Sequence, residues 1–97
     1  MLNIKQAKDI AQLKLNEIQK QSRVKLSLME NETIPFKYGW VFFYQSEEFV
    51  KHGNEDALVG GNAPILVDKY KEIAHLTGTS KDISFYIEEY VTKNSSV

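Results

Sequence analysis

The chain has 97 residues, of which 42% are hydrophobic and 26% are charged, a composition typical of globular proteins. This length favours one domain, which we expect to span residues 1–97 with residues 92–97 as a frayed tail. The absence of cysteine excludes disulfides, thiolate nucleophiles and sulfur metal ligands. The net charge of −1 argues against direct binding of nucleic acid through its phosphates.

Targeting and membrane signals are not found in the sequence. No apolar run approaches the roughly 18 residues that a membrane-spanning helix needs, so we expect no membrane contact. The first residues, MLNIKQAKDI, lack the apolar core of a secretory signal.

The first predicted element is a helix from Ile4 to Lys20. Asn3 can cap this helix, and Gln6 three residues later completes a capping-box pattern. An apolar stripe with helical spacing falls on one side, and we expect it to face the core. The members of the stripe are Ile4, Ala7, Ala11, Leu15 and Ile18.

Two strands are predicted next, separated by a polar connection. Val24, Leu26 and Leu28 alternate with polar residues, which is typical of a strand with one solvated face. The connection MENETIPFKY is broken by Pro35. The segment GWVFFYQS, residues 39–46, is rich in aromatic and β-branched residues and predicts a central strand. Alternation places Trp40, Phe42 and Tyr44 on one side of it and Val41 and Phe43 on the other.

The following long connection, EEFVKHGNEDALVGG, is predicted to contain a helical turn around residues 47–51 and an exposed polar tip. PILVD and EIAHL then form a hairpin, in which Asp68 can start the turn by bonding its own backbone. Thr79 with Asp82 fits a capping box, so a last helix is expected from about Ser80 to Thr92. The residues on its apolar face are Ile83, Tyr86, Ile87 and Tyr90.

The element order predicts an α+β fold: an N-terminal helix, an antiparallel sheet of about four strands and a C-terminal helix. The stretch GGNAPILVDK does not predict a phosphate site, because a phosphate loop follows a strand and opens a helix, whereas here the glycines lead into a strand. We expect a structural corner in which Gly60 or Gly61 adopts a backbone conformation closed to other residues, and Pro64 begins the strand.

Catalytic, metal and cofactor constellations are not indicated. His52, Glu55 and Asp56 lie close in sequence, but their spacing does not signal the three convergent ligands that a metal site needs. No serine lies in a nucleophile elbow, and adjacent carboxylates such as Glu88 and Glu89 point to different sides of a helix. We therefore expect neither an enzyme nor a bound cofactor.

Acidic residues are concentrated in the long connection, within ten residues of sequence: Glu47, Glu48, Glu55 and Asp56. In a solvated loop such clustering has no role in stabilising the fold, so we expect these residues to face a basic protein partner. Phe49 and Tyr44 are the expected apolar anchors beside them. The alternative is a solvated loop over a closed core, with the binding surface elsewhere, for example on the lysine-bearing first helix.

The segment from Gly39 to Tyr90 resembles the immunity protein 35 family of bacterial polymorphic toxin systems. The matching motifs are Gly39-Trp40 with Phe42, Glu48-Phe49, Gly61-Asn62-Ala63-Pro64, Val67-Asp68, Gly78-Thr79 and the helix with Tyr86, Ile87 and Tyr90. The sequence departs from the family pattern at the hairpin turn, Lys69-Tyr70-Lys71, where a glycine is expected. The shared Gly39, Trp40, Gly61, Asn62 and Pro64 are expected to be structural.

The resemblance implies a small cytoplasmic protein, encoded beside a toxin, that binds the toxin and blocks it without catalysis or a cofactor. It does not identify the toxin, its activity or the oligomeric state. The alternative function is a small chaperone-like or stress-associated domain that binds exposed apolar segments, which would require an accessible hydrophobic patch.

Overall fold

The computed structural model describes residues 1–95, and in that range it has three α-helices and six strands. The helices are α1 (Ile4–Gln19), α2 (Glu47–His52) and α3 (Ile83–Asn94). The strands are β1 (Leu26–Leu28), β2 (Ile34–Phe36), β3 (Gly39–Phe42), β4 (Tyr44–Ser46), β5 (Ile65–Asp68) and β6 (Ile73–Leu76). The predicted α+β class, with a helix before and after antiparallel strands, is confirmed.

The N-terminal helix begins with the predicted capping box. The backbone N–H of Gln6 donates to Asn3 Oδ1 at 2.8 Å, and the N–H of Asn3 donates to Gln6 Oε1 at 3.0 Å. Within the predicted stripe, Ala7, Ala11 and Leu15 are fully buried. Ile4 is 54% exposed, so its assignment to the core is wrong. Leu2 fills the core at this end instead, because its N–H bonds to the carbonyl of Lys69.

The strands form two antiparallel sheets: β1 pairs with β4, and a four-stranded sheet has the order β2-β3-β5-β6. The predicted central strand, residues 39–46, is therefore divided between the two sheets. The division falls at Phe43, whose carbonyl accepts a hydrogen bond from the N–H of Met29 at 2.8 Å. Side-chain alternation continues across the break, so Phe42 and Tyr44 lie on the same side, as predicted, and the structure shows that this side faces the main core.

The segment predicted to be a polar connection contains β2, so that prediction is wrong for residues 34–36. Proline removes a backbone donor and usually excludes a strand from the middle of a sheet. Pro35 is tolerated here because β2 is an edge strand, in register with β3 such that Pro35 lies opposite Trp40. A 3₁₀ turn at Glu30–Glu32 precedes this strand.

One face of the four-stranded sheet packs against α1. Phe42, Ile65 and Val67 point to this face and join the buried residues of α1 in the main core. The two alanines of the α1 stripe have short side chains, so the helix backbone can approach the sheet closely. The buried face of α1 thus covers the centre of the sheet, where β3 and β5 pair.

The opposite face of the sheet packs against α3. Val41 and Leu66 point to this face and are buried. The ring of Tyr90, from α3, makes edge contacts with Phe36 on β2 and lies 5.5 Å from the ring of His75 on β6. The predicted apolar face of α3 is thus the face that meets the sheet, although no residue of this helix is fully buried.

The bounds of α3 differ from the prediction at both ends. Asp82 is the N-cap, so the proposed capping box of Thr79 with Asp82 is wrong, and the helix begins at Ile83. Residues 79–82 instead form a bend at which the N–H groups of Ser80 and Lys81 both donate to the hydroxyl of Tyr86. The helix continues to Asn94, beyond the predicted end at Thr92, so residues 92–94 of the expected frayed tail are helical. Ser95 is the C-cap of the helix, and residues 96 and 97 of that tail lie outside the described residues.

Candidate functional site

The helical turn predicted after the central strand is α2, which starts the acidic segment. The hydroxyl of Ser46 caps it by accepting the N–H of Phe49 at 3.1 Å, and Gly53 ends it in the left-handed conformation. Glu47 and Glu48 occupy its first turn, where negative charge interacts favourably with the helix dipole. The expectation that these charges have no role in the fold is therefore wrong for α2.

Glu47 is engaged within the molecule. Its Oε2 lies 3.7 Å from Lys25 Nζ and 3.4 Å from Lys51 Nζ, and its backbone N–H donates to the carbonyl of Lys25 at 2.8 Å. Its side chain is only 28% exposed. These contacts tie α2 to the end of β1, and two lysines compensate the charge of this carboxylate.

The other three predicted acidic residues are exposed and lie on neighbouring elements. Glu55 and Asp56 form most of a 3₁₀ turn, Glu55–Ala57, in which the side chain of Asn54 accepts the N–H of Asp56 at 3.1 Å. This turn packs against α2, and Glu48 and Ala57 line the same surface hollow of about 280 Å³. Among residues 1–95, Glu48, Glu55 and Asp56 make no ion pair. We call these three residues the acidic surface.

Phe49 lies on a different side of α2 from the acidic surface. It is half-buried and lines an open groove of about 420 Å³ between α2 and the 3₁₀ turn at residues 30–32. The groove has an apolar part, formed by Leu28, Met29, Phe49 and Val50, and a polar part, formed by Glu30, Asn31 and Glu32. We call it the Phe49 groove.

Glu30 and Glu32 were missed as candidates because their segment is distant from Phe49 in sequence. The N–H of Met29 bonds to the carbonyl of Phe43, and this long-range contact brings the two segments together. Glu30 and Glu32 carry the same negative charge as the acidic residues of the long connection. This similarity is the signal in the sequence that could have linked the two segments.

Tyr44 is not an anchor beside the acidic segment, which corrects the prediction. It is 6% exposed and belongs to the main core. Burial raises the pKa of its hydroxyl. Tyr44 and Ser46 are two residues apart on β4, so they lie on the same side of the strand, and both are buried. The exposed part of α2 begins only after Ser46.

The Gly39-Trp40 pair lies at the start of β3. Gly39 is buried with φ of +153°, and a Cβ atom built on it would lie 1.9 Å from the carbonyl oxygen of Val67. Only glycine allows this close approach of β3 to β5. Trp40 is half-buried and packs against the main core.

The Gly61-Asn62-Ala63-Pro64 stretch forms the corner before β5. Gly61 has φ of +72°, in the left-handed region, while the Asn62 amide donates to the carbonyls of Val59 at 3.1 Å and Tyr44 at 3.4 Å. The carbonyl of Pro64 accepts the N–H of Thr77 at 2.9 Å. The polar groups of this corner are thus used within the fold.

Asp68 does more than the predicted turn. Its Oδ1 accepts the N–H groups of Tyr70 at 2.8 Å and Lys71 at 2.9 Å, as expected, and the turn continues to Glu72, which has φ of +58°. Its Oδ2 accepts the hydroxyl of Tyr90 at 2.5 Å, a contact the sequence did not indicate. Burial opposes ionisation of Asp68, but these hydrogen bonds and the nearby Lys71 ammonium outweigh it and lower the pKa of the carboxyl. Burial and the bond to Asp68 raise the pKa of Tyr90.

Residues 1–95 contain neither a cluster of metal-binding side chains nor a membrane-spanning helix. In that range no three acidic or histidine side chains are grouped in a way that could hold a metal ion. None of the helices in the described part of the chain has the length and apolar character needed to cross a membrane.

Comparison with known proteins gives a family and one relative. The family model described as Immunity protein 35 matches residues 5–91, so the match includes the N-terminal helix and first strand as well as the segment noted in the sequence. The chain is also similar to the uncharacterized protein YrhB of Escherichia coli (strain K12), with 36% identity over 61 residues. That alignment covers 63% of this chain and 65% of YrhB. No solved structure shows significant similarity to the chain.

Proposed function

The chain belongs to the immunity protein 35 family, and we propose that it binds and neutralises a cognate bacterial toxin in the cytoplasm. The match of the family model to nearly the whole chain is the observation that carries this proposal. The proposed action is a protein–protein contact that blocks the toxin, without catalysis and without a cofactor.

We place the toxin contact on the acidic surface of Glu48, Glu55 and Asp56. These side chains are exposed, lie on two packed elements and make no ion pair within residues 1–95. Like charges held close together at a surface attract a basic partner, speed its association and fix its orientation. This supports a toxin that presents a positively charged surface, such as one that acts on nucleic acid.

The Phe49 groove opens on a neighbouring side of α2, and it is the proposed apolar part of the same contact. Its floor can take the aliphatic stem of a lysine or arginine, while Glu30 and Glu32 at its polar side can meet the charged end. Glu30 also pairs with Lys8, so part of its charge is compensated. Glu47 and Tyr44 are left out of the proposed contact, because Glu47 joins α2 to β1 and Tyr44 lies in the core.

The distribution of exposed apolar side chains favours toxin binding over the chaperone-like alternative. A protein that captures apolar segments needs a continuous accessible patch. The exposed apolar residues here include Leu13 on α1 and Phe85 on α3, on opposite sides of the four-stranded sheet. Leu13 and Phe85 therefore do not form one continuous patch, which argues against the chaperone-like alternative.

The acidic surface can be tested by removing its charge without changing its shape. We expect the triple variant Glu48→Gln, Glu55→Gln, Asp56→Asn to associate with the neighbouring toxin about tenfold more slowly at low salt, because electrostatic steering is lost. Association of this variant should depend little on salt. The measurement is stopped-flow association kinetics at low and high ionic strength.

A matched control removes three negative charges elsewhere. The substitutions Asp9→Asn, Glu17→Gln and Glu88→Gln lie on α1 and α3 and give the same net charge. This control should associate nearly as fast as wild type. Equal slowing of both variants would show that only net charge matters and would contradict the acidic surface, whereas a wild-type protein that forms no complex would contradict the proposed function itself.

A further inference from the structure

The strand β6 forms one edge of the four-stranded sheet. Within the described residues, β5 is its only strand neighbour. Proteins commonly protect such edges with proline or charged side chains, and Ile73–Leu76 contains neither proline nor lysine nor a carboxylate. The strand at the other end of the sheet, β2, is three residues long and contains Pro35. The two edges therefore differ, and only β6 is suited to pairing with another strand.

The outward backbone groups of β6 can be assigned from its register. The N–H of Thr77 donates to the carbonyl of Pro64 at 2.9 Å. Bonded residues alternate along an antiparallel strand, so His75, two residues earlier, also bonds to β5. Ala74 and Leu76 then direct their N–H and C=O groups away from the sheet. The edge offers two donors and two acceptors in a regular spacing.

Apolar side chains accompany these backbone groups on both faces of β6. Ile73 is 43% exposed and Leu76 is 46% exposed, and they point to opposite faces because they are three residues apart in a strand. A strand added to this edge would cover both side chains as well as satisfy the backbone.

We propose that the β6 edge pairs in antiparallel orientation with the β6 edge of a second copy of this chain. In this pairing the backbone of Ala74 in each protomer exchanges hydrogen bonds with the backbone of Leu76 in the other, which gives two symmetry-related pairs. The twofold axis passes between the two His75 residues. Shifting the two strands to the next register that pairs outward backbone groups would place Glu72 or Gly78 in the hydrogen-bonded pairs. Both residues lie outside β6.

The side chains of β6 fit this symmetric register. The small Ala74 lies beside the large Leu76 of the other protomer, so the two copies complement each other on the α1 face. The acidic surface stays available, because α2 packs against β1 and β4 of the other sheet. The pairing is independent of the proposed toxin binding and would give a dimer with two separate toxin-binding surfaces.

Disulfide trapping tests the register directly, because the native chain contains no cysteine. In a pair that is not hydrogen-bonded, opposite Cα atoms lie about 4.5 Å apart, within the range of disulfides. The variant His75→Cys, incubated with oxidised glutathione, should give a disulfide-linked dimer. In the control Ile73→Cys the two substituted positions would lie roughly 14 Å apart and should stay unlinked.

The oligomeric state gives a second, independent measurement. In sedimentation equilibrium, wild-type protein at high concentration should reach twice the chain mass of 11.2 kDa. Leu76→Lys should remain a monomer, while Leu13→Lys, which changes an exposed leucine on α1, should still dimerise. A wild-type monomer up to its solubility limit, or equal disulfide formation by His75→Cys and Ile73→Cys, would overturn the proposal. If Leu76→Lys fails to fold, the cysteine variants alone decide it.

Discussion

The hydroxyl of Tyr90 donates to Oδ2 of the buried Asp68 at 2.5 Å, and this contact joins α3 to the end of β5, an inner strand of the sheet. The other oxygen of the same carboxylate holds the β5–β6 turn through two backbone N–H groups. Because α3 has no fully buried residue, a hydrogen bond to a charged acceptor is a substantial part of what holds it in place.

Removing this hydroxyl should weaken the fold. We expect Tyr90→Phe to lower the free energy of unfolding by about 2 kcal/mol, since it leaves a buried carboxylate oxygen without its donor. Urea unfolding measures the loss. The control is Tyr70→Phe, because the Tyr70 side chain is 56% exposed and its hydroxyl has no hydrogen bond within residues 1–95, so that variant should stay close to wild type. Equal stability of the two variants would refute the role of the Tyr90 contact.

The same carboxylate predicts a pH dependence of stability. The folded-state pKa of Asp68 is lowered, so ionised Asp68 stabilises the fold above its unfolded pKa, near 3.9. This contribution is lost as the pH falls through the lower, folded pKa. We expect Asp68→Asn to be less stable than wild type at pH 7 and the difference to shrink as the pH falls below about 4. Urea unfolding at several pH values tests this, and a difference that stays constant with pH would contradict it.

The two neighbouring glycines of the corner before β5 provide a matched pair. A Cβ atom at Gly60 or at Gly61 would meet no atom within 4 Å, but only Gly61 has a left-handed φ, of +72°. We expect Gly61→Ala to cost about 1 kcal/mol through backbone strain alone, while Gly60→Ala should be neutral or slightly stabilising. Thermal melts of both variants measure this. Equal melting temperatures would show that the left-handed conformation carries no cost here.

Features set by residues close in sequence could be predicted. The capping box of Asn3 with Gln6 and the turn started by Asp68 each depend on hydrogen bonds that span two or three residues. The apolar face of α3 follows from spacing alone. These features follow from the sequence because the groups that decide them lie within one helical turn or one hairpin loop.

Features set by distant contacts could not be predicted. The break at Phe43 depends on a bond to Met29, and the same contact brings Glu30 and Glu32 beside Phe49. Pro35 argues against a strand at residues 34–36, because proline is acceptable in a strand only at the edge of a sheet. The sequence alone does not show which strand lies at the edge. Tyr44 is close in sequence to the acidic segment, which suggests an anchor beside it, but alternation along β4 turns its side chain into the core.

The neutralisation of the adjacent toxin by the purified chain tests the central claim most directly. Increasing amounts of this protein are added to a fixed amount of the toxin encoded by the neighbouring gene, and the remaining toxin activity is measured. We predict that activity falls to background at one equivalent of chain, and that the Glu48→Gln, Glu55→Gln, Asp56→Asn variant protects more slowly after mixing at low salt. Full toxin activity in the presence of excess wild-type protein would contradict the account.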